Sequence, residues 1–419
     1  MGSKSGFDLI QAAESLLQDA KKLVAATQSG PTSNDEEIIL RQGIAQAAKK
    51  IAFETAPPID VVKSDWIVLA DVAAWNIFIA WKAFDHIPLP PGHISIRDLA
   101  RAIDAQESLV ARIANLLLSV GKLNPGPEPG TVAHSRVSPL YRSASPASAL
   151  ATVAVGNGMK PYAHWPEYFR TYGRREPPGQ THTPFSFAWN HPELAPWEVK
   201  ALDPEYAATF ARSMESRQIV GGNMPVAGPE ALYDLTWVGE EARMRGEGEA
   251  VVVDVGGGLG QLLRDLIASV PGLKPGQCVL QDRKEVIEEA REAAGEGLMG
   301  VVMMEHDFHG EQPVKGAVVY LLRRILLDYP DELAIGILRQ LAEALPVDNP
   351  KARIIIMEER LLETPTPMNC IVDLVMLNIG GKLRNEAMFG ELAAAAGLRM
   401  AKYHARQGDP TCVVECARA

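Results

Sequence analysis

The run Val251-Val-Val-Asp-Val-Gly-Gly-Gly-Leu-Gly260 most constrains what this chain can become. Apolar, mostly β-branched residues around one acid lead into a glycine-rich turn. Gln261-Leu-Leu-Arg-Asp-Leu-Ile-Ala-Ser-Val270 follows with helical spacing. The order reads as strand, tight turn, helix. Glycines let the turn be sharp and let a ligand approach the backbone. The helix start adds free N–H groups and a positive dipole end.

The loop is neither a GxxxxGK[ST] phosphate cradle nor the spaced G-x-G-x-x-G of dinucleotide folds. Taken alone it also fits an ordinary strand-to-helix turn. Two acids change the reading. The next strand, Gln277-Cys-Val-Leu-Gln281, ends in Asp282, where a carboxylate can accept both hydroxyls of a ribose. After Gly300-Val-Val-Met-Met304 comes Glu305-His-Asp-Phe308, and Asp307 with Phe308 suits an adenine amino group and ring face. The set describes a nucleoside site: Gly256, Gly258, Asp282, Asp307 and Phe308, with Arg323 beyond a later strand.

From about Ala231 to Ala419 the chain resembles the S-adenosylmethionine-dependent O-methyltransferases of the plant caffeate type and their fungal relatives. The resemblance rests on Asp254-Val-Gly-Gly-Gly-Leu-Gly260, Leu280-Gln-Asp282, His306-Asp-Phe308, the run Val319 to Glu332, and Asp373-Leu-Val-Met-Leu-Asn-Ile-Gly-Gly-Lys382. It implies S-adenosylmethionine as cofactor and a homodimer formed through the N-terminal part. It also implies pocket walls from the segments holding Lys160, Trp165, Asp373 and Met376.

The chain departs from this family at the chemistry. The family carries a general-base histidine just before the aspartate of Ile325-Leu-Leu-Asp-Tyr-Pro330; here the position is Leu327. A glutamate that orients the base is replaced by Leu383 in Gly380-Gly-Lys-Leu-Arg384, while Glu358 matches the remaining acid. A general base is worth roughly 10²–10⁴ in rate. The usual route to methyl transfer is therefore lost while the cofactor loop is kept.

Alternating strand and helix signals through 419 residues predict an α/β chain: a Rossmann-like, doubly wound methyltransferase domain behind an N-terminal all-α, winged-helix dimerisation domain. The expected division is 1–130, a helical connecting and pocket region 131–245, and the cofactor domain 246–419. Amphipathic helices are expected from Phe7 to Thr27 and Glu36 to Thr55, and a third, more apolar and so more buried, from Asp65 to Phe84. Ser95 with Asp98 is a capping signature, and Asn124-Pro-Gly-Pro-Glu-Pro-Gly130 reads as the wing. A winged helix raises DNA binding, but a net charge of -11 without a basic face excludes nucleic acid.

No apolar run is long enough to span a membrane, and the polar stretch 1–6 is no signal peptide. Cys278, Cys370, Cys412 and Cys416 lack metal-ligand spacing and read as reduced thiols of a cytoplasmic protein, with no metal site expected.

Gly156-Asn-Gly158 suits close packing around a ligand, His134 reads as structural, and the aromatics from Phe185 to Trp197 cover a substrate or fill a core. Three activities follow. The first is a pericyclase, like the leporin-type enzymes that resemble O-methyltransferases and keep the cofactor without methyl transfer. It would dehydrate a 2-pyridone-type alcohol and steer a hetero-Diels–Alder or Alder-ene reaction. Its catalytic residues would be His164 and Arg324 as donors to the carbonyl, with Asp328 assisting. The second is an O-methyltransferase acting on a polyketide or phenolic hydroxyl by proximity or a non-standard base. The third is a non-catalytic dimer partner. The first two imply a small, apolar polyketide or pyridone-alkaloid-type substrate.

Overall fold

The computed structural model describes residues 8–28, 34–221, 225–246, 248–293 and 295–419. The polar stretch 1–6, Phe7 at the head of the first stripe, and residues 29–33 of the following loop lie outside the described residues. The chain forms two compact units, one ending at Pro139 and one running from Leu140 to Ala419.

The first unit opens with helices Leu9–Gln28, Asn34–Thr55 and Pro58–Ala80. Helices Ile96–Ala102 and Glu107–Ser119 follow as a helix–turn–helix. The Ser95 hydroxyl accepts from the Asp98 N–H at 3.0 Å, the cap its sequence announced. Strands β1 (Ile94–Ser95), β2 (Leu123–Pro125) and β3 (Thr131–His134) form an antiparallel sheet ordered β1-β3-β2. The proline-rich segment is the turn between β2 and β3, so the winged helix is present. His134 is buried, its ring nitrogens 2.9 Å from the Ser138 hydroxyl and 3.1 Å from the Ile87 carbonyl, which is the structural role expected of it.

The third helix corrects an expectation. Only Ala74, Trp75 and Phe78 are buried in it. Ile59, Val62, Ile67, Val68 and Leu69 are exposed, and Trp66 is 74 % exposed. Apolarity all round a helix demands cover without saying whether the same chain supplies it.

The second unit holds a seven-stranded sheet ordered β6-β5-β4-β7-β8-β10-β9. These strands are β4 (Val252–Val255), β5 (Cys278–Asp282), β6 (Val302–Glu305), β7 (Val319–Arg323), β8 (Arg353–Glu359), β9 (Leu398–Ala405) and β10 (Thr411–Arg418). The first five in that list pair in parallel; β10 runs antiparallel between β8 and β9. β4, β7 and the middle of β8 are buried on both faces, which is why they read as unbroken Val, Ile and Leu runs rather than alternating ones. The chain steps outward from β4 to β5 and β6, then returns to the other side of β4 as β7. That reversal opens a crevice beyond the carboxyl ends of β4 and β7, the place where doubly wound sheets hold ligands.

Candidate active site

The glycine loop sits at the end of β4. Gly256, Gly258 and Gly260 all have positive φ, of 68°, 60° and 76°. A Cβ on Gly256 would stand 2.6 Å from the Ile325 side chain and 3.3 Å from the Phe308 ring. On Gly258 it would meet nothing within 4 Å, so this part of the loop faces open space. The Gly258 N–H donates to Asp282 Oδ2 at 2.9 Å, and the Arg283 N–H to Oδ1 at 2.8 Å. Burial pushes the Asp282 carboxyl up, against these two hydrogen bonds.

A cavity of about 710 Å³ opens here, lined by Gly256, Gly258, Leu259, Asp282 and Asp328 on one side. Trp197, Lys200, Phe210 and Met214, from helices Pro196–Ala201 and Pro204–Gly221, line it too. Its size suits a nucleoside-bearing molecule. A half-buried glycine backbone beside a half-buried carboxylate fits a ribose. Asp254, 1 % exposed beneath the loop, keeps both carboxylate oxygens without a hydrogen-bond partner among the described residues.

Other expected residues are placed differently. Arg323 is half-buried next to β4, where it meets the Asp254 charge, and burial holds its guanidinium below its ordinary value. Asp307 is exposed and accepts the His309 N–H at 3.0 Å, while Phe308 meets Tyr329 edge-on at 5.8 Å. Arg324, with φ 58°, pairs with Glu359 at 3.6 Å. His164 is bound through Nδ1 to the Lys160 carbonyl at 2.9 Å. Neither Arg324 nor His164 is among the described residues lining the cavity.

Lys160 lies 3.4 Å above the Trp189 ring, and Trp165 donates to Asn378 Oδ1 at 2.8 Å. Trp165 also lines a second cavity, of about 540 Å³, with Tyr162 and Phe169. Asp373 accepts the Leu383 N–H at 2.8 Å. Gly156-Asn-Gly158 packs against protein: Asn157 Oδ1 accepts the Tyr206 hydroxyl at 2.9 Å.

The position of the missing base is filled by hydrocarbon. Leu327 is 6 % exposed and shares one buried cluster with Leu383, Met376, Ile379, Phe185, Val199 and Tyr206. Both substitutions noticed in the sequence therefore meet in a single apolar patch. Glu358 lies beside it, 3 % exposed; its Oε1 accepts the N–H groups of Ile325 and Leu326 at 3.0 and 2.8 Å. Burial, reinforced by the nearby Asp328 charge, pushes the Glu358 carboxyl up to about 8. Burial likewise pushes Asp254 up to about 7, with Arg323 opposing and Asp282 adding to the rise.

These two carboxyls set a pH dependence. Their folded-state values lie above the unfolded ones, so the folded chain keeps protons that the unfolded chain has released. The contribution of these two carboxyls to the stability of the ligand-free protein is then flat below about pH 4 and falls from there as pH rises. The fall ends above about 7 for Asp254 and about 8 for Glu358. Its slope is at most about 1.4 kcal/mol per pH unit for each group. Asp331, whose carboxyl Arg384 and Lys382 hold down, acts in the lower window, its contribution lost as pH falls below the carboxylate range. Urea midpoints at pH 5, 6.5 and 8 are expected to decrease in that order, and Asp254→Asn with Glu358→Gln to flatten the trend. Equal midpoints in the unaltered chain would refute it.

Residues 177–399 match the O-methyltransferase domain family. Methyltransferase cfoD of Aspergillus candidus is 39 % identical over 385 residues, covering 90 % of this chain and 92 % of that one. The crystal structure of OxaC in complex with SAH and oxaline superposes with a TM-score of 0.81 at 22 % identity, over 97 % of this chain and 100 % of that one. The structure of LepI in complex with SAM does so at 0.75 and 23 %, over 96 % and 98 %.

Proposed function

The chain belongs to the O-methyltransferase domain family, and from that membership we propose that it methylates an acceptor whose attacking oxygen is already ionised at neutral pH. Its cofactor is S-adenosylmethionine. The observation that carries the reading is the Leu327–Leu383 patch beside an intact glycine loop and Asp282. When bound, the cofactor supplies a methyl group on a sulfonium, electrophilic without further activation. The work left to the protein is to place the acceptor and keep water out. Trp197, Phe210 and Met214 give the cavity its apolar wall, and Leu327 and its neighbours fill the place of a base with side chains that admit no water.

Magnitudes decide what the acceptor can be. An ordinary phenol, with pKa about 10, is ionised to well under about one part in a hundred near neutrality, so losing a base is costly. An acceptor as acidic as a carboxylic acid is ionised almost fully and loses little. Orientation alone supplies roughly 7–11 kcal/mol in favourable cases, enough for an electrophile of this kind.

The pericyclase reading is the second one. It rests on the same aliphatic patch, because a dehydration steered by hydrogen-bond donors needs no proton acceptor at Leu327. The donors assigned to it, His164 and Arg324, are engaged with Lys160 and Glu359, which is why methyl transfer is placed first. The proposal also takes the protein as a cytoplasmic homodimer in which a second copy covers the exposed face around Trp66.

Purified protein given S-adenosylmethionine with acidic enols, phenols and 2-pyridone alcohols, followed by mass spectrometry, tests both readings. The expected result is a gain of one methyl with stoichiometric S-adenosylhomocysteine. Loss of water with no cofactor turnover overturns methyl transfer in favour of the second reading. Light scattering on the same sample reads the assembly.

A further inference from the structure

The helix Lys160–Tyr172 carries Tyr162, Trp165 and Phe169 at steps of three and four residues, so their rings share one face. Trp165 meets Tyr162 edge-on at 4.9 Å and Phe169 at 5.9 Å. Its Nε1 donates to Asn378, which fixes the ring. Gly173 ends the helix with φ 87°, a turn that favours glycine, and Arg174 comes round to the side of Phe169. The three rings, Pro166, Arg170 and Arg174 line a hollow of about 540 Å³. A second hollow, of about 460 Å³, adjoins it through Phe169 and Arg174 and adds Arg175, Glu176 and Leu377. No described residue lines both this groove and the cavity at the glycine loop.

The chain carries a net charge of -11, yet the first hollow has no carboxylate among its described lining residues. Glu176, in the second, is held by Lys382 at 2.7 Å. Arg170 and Arg174 are exposed, and neither guanidinium meets a carboxylate or a ring face among the described residues. A guanidinium binds a carboxylate through two parallel N–H groups, a geometry that adds specificity to charge. Aromatic walls favour a flat apolar body. We propose that this groove is a second binding site, taking a flat aromatic carboxylate. The ring system lies against Trp165 and Phe169, and the carboxylate is held by Arg170 and Arg174. A hollow of this size holds a molecule of two or three fused rings. The site does not depend on the methyl-transfer reading, since it shares no described wall with the cofactor cavity.

The probes are 2-naphthoate and its uncharged analogue 2-naphthamide, titrated calorimetrically into the full chain saturated with S-adenosylhomocysteine. The carboxylate is expected to bind about tenfold tighter than the amide at low salt. The preference should narrow as salt screens the exposed guanidinium groups. Arg170→Gln combined with Arg174→Gln is expected to bring the two affinities together, and Phe169→Ala to weaken both alike. Both arginines are exposed, so the double variant keeps its fold, which its melting midpoint checks. The proposal is overturned if the unaltered protein binds no 2-naphthoate at millimolar concentration. It is overturned equally if the double variant still prefers the carboxylate, which would put the anion in the other cavity. A double variant that changes the mass seen by light scattering, with no 2-naphthoate bound by the unaltered protein, would make the groove a contact between copies instead. None of these outcomes bears on methyl transfer, which the mass-spectrometric assay reads separately.

Discussion

Replacing Arg384 with methionine is expected to cost the 140–419 unit about 3–5 kcal/mol, read as a fall of roughly 10 °C in its melting midpoint. The guanidinium is 1 % exposed. Nε and Nη2 donate to Asp331 Oδ1 at 3.0 and 2.8 Å, Nη1 donates to the Leu326 carbonyl at 2.7 Å, and Nη2 to the Tyr329 carbonyl at 2.8 Å. One side chain thus satisfies two buried carbonyls and a carboxylate. Methionine fills much of the volume but leaves all three acceptors without their donor, and it is the unmade hydrogen bonds that are expensive. Lysine keeps the charge without the fork, so Arg384→Lys should fall between. The clamped segment, Leu326 to Asp331, carries Leu327 and Asp328, so affinity for S-adenosylhomocysteine should drop along with stability. A loss below about 1 kcal/mol by thermal and urea melts would show that the clamp is not what holds this segment.

How far the sequence could be read follows from what is local. The glycine loop announced itself because strand, turn and helix residues are consecutive, and the strands after Val251, Gln277 and Gly300 each showed as a short apolar run before an acid. Strand order is a different kind of information. Nothing in Thr411 to Arg418 says that this strand inserts antiparallel between β8 and β9, since its Val413 and Val414 read the same in either place. The stretch Asp65 to Phe84 reads as a more buried helix because apolar residues circle it; the pattern records a need for cover, not its source.

At the site, the residues legible in advance were those inside a motif, such as Asp282 and Leu327. Those that were missed depend on distant chain. Lys200 is a lone lysine in Pro196-Trp-Glu-Val-Lys-Ala201, and it is a cavity cation only because Phe185 and Phe210 close around it. Gln281 and Gln312 exchange amide hydrogen bonds at 2.8 Å in both directions just behind Asp282, a pairing across 31 residues that no spacing rule announces. The tight backbone at Gly156 and Gly158 was legible as a close approach, but its partners, Tyr206 against Gly156 and Tyr162 against Gly158, were not.

Removing the Asp282 carboxylate is expected to weaken S-adenosylhomocysteine binding by about 100-fold or more, because hydrogen bonds to a charged group are worth about 1.5–3 kcal/mol each. Two effects combine. The carboxylate at the cavity wall loses its own contacts with the ligand, and the Gly258 N–H loses the acceptor that fixes the loop at 2.9 Å. Asp282→Asn keeps an oxygen for one N–H but has no charge, so it should lose closer to tenfold. Since burial already disfavours the ionised form in the ligand-free chain, Asp282→Ala should not destabilise the unliganded fold by more than about 1 kcal/mol. The stabilisation that ligand confers is where the difference shows. At 100 times its dissociation constant, S-adenosylhomocysteine adds about 2.7 kcal/mol to the unaltered protein, and at that same concentration it should add about 0.4 kcal/mol or less to Asp282→Ala. Calorimetric titration and paired melts measure the two quantities separately. An alanine variant that binds within about threefold of the unaltered protein would place the nucleoside somewhere other than the cavity at the carboxyl ends of β4 and β5.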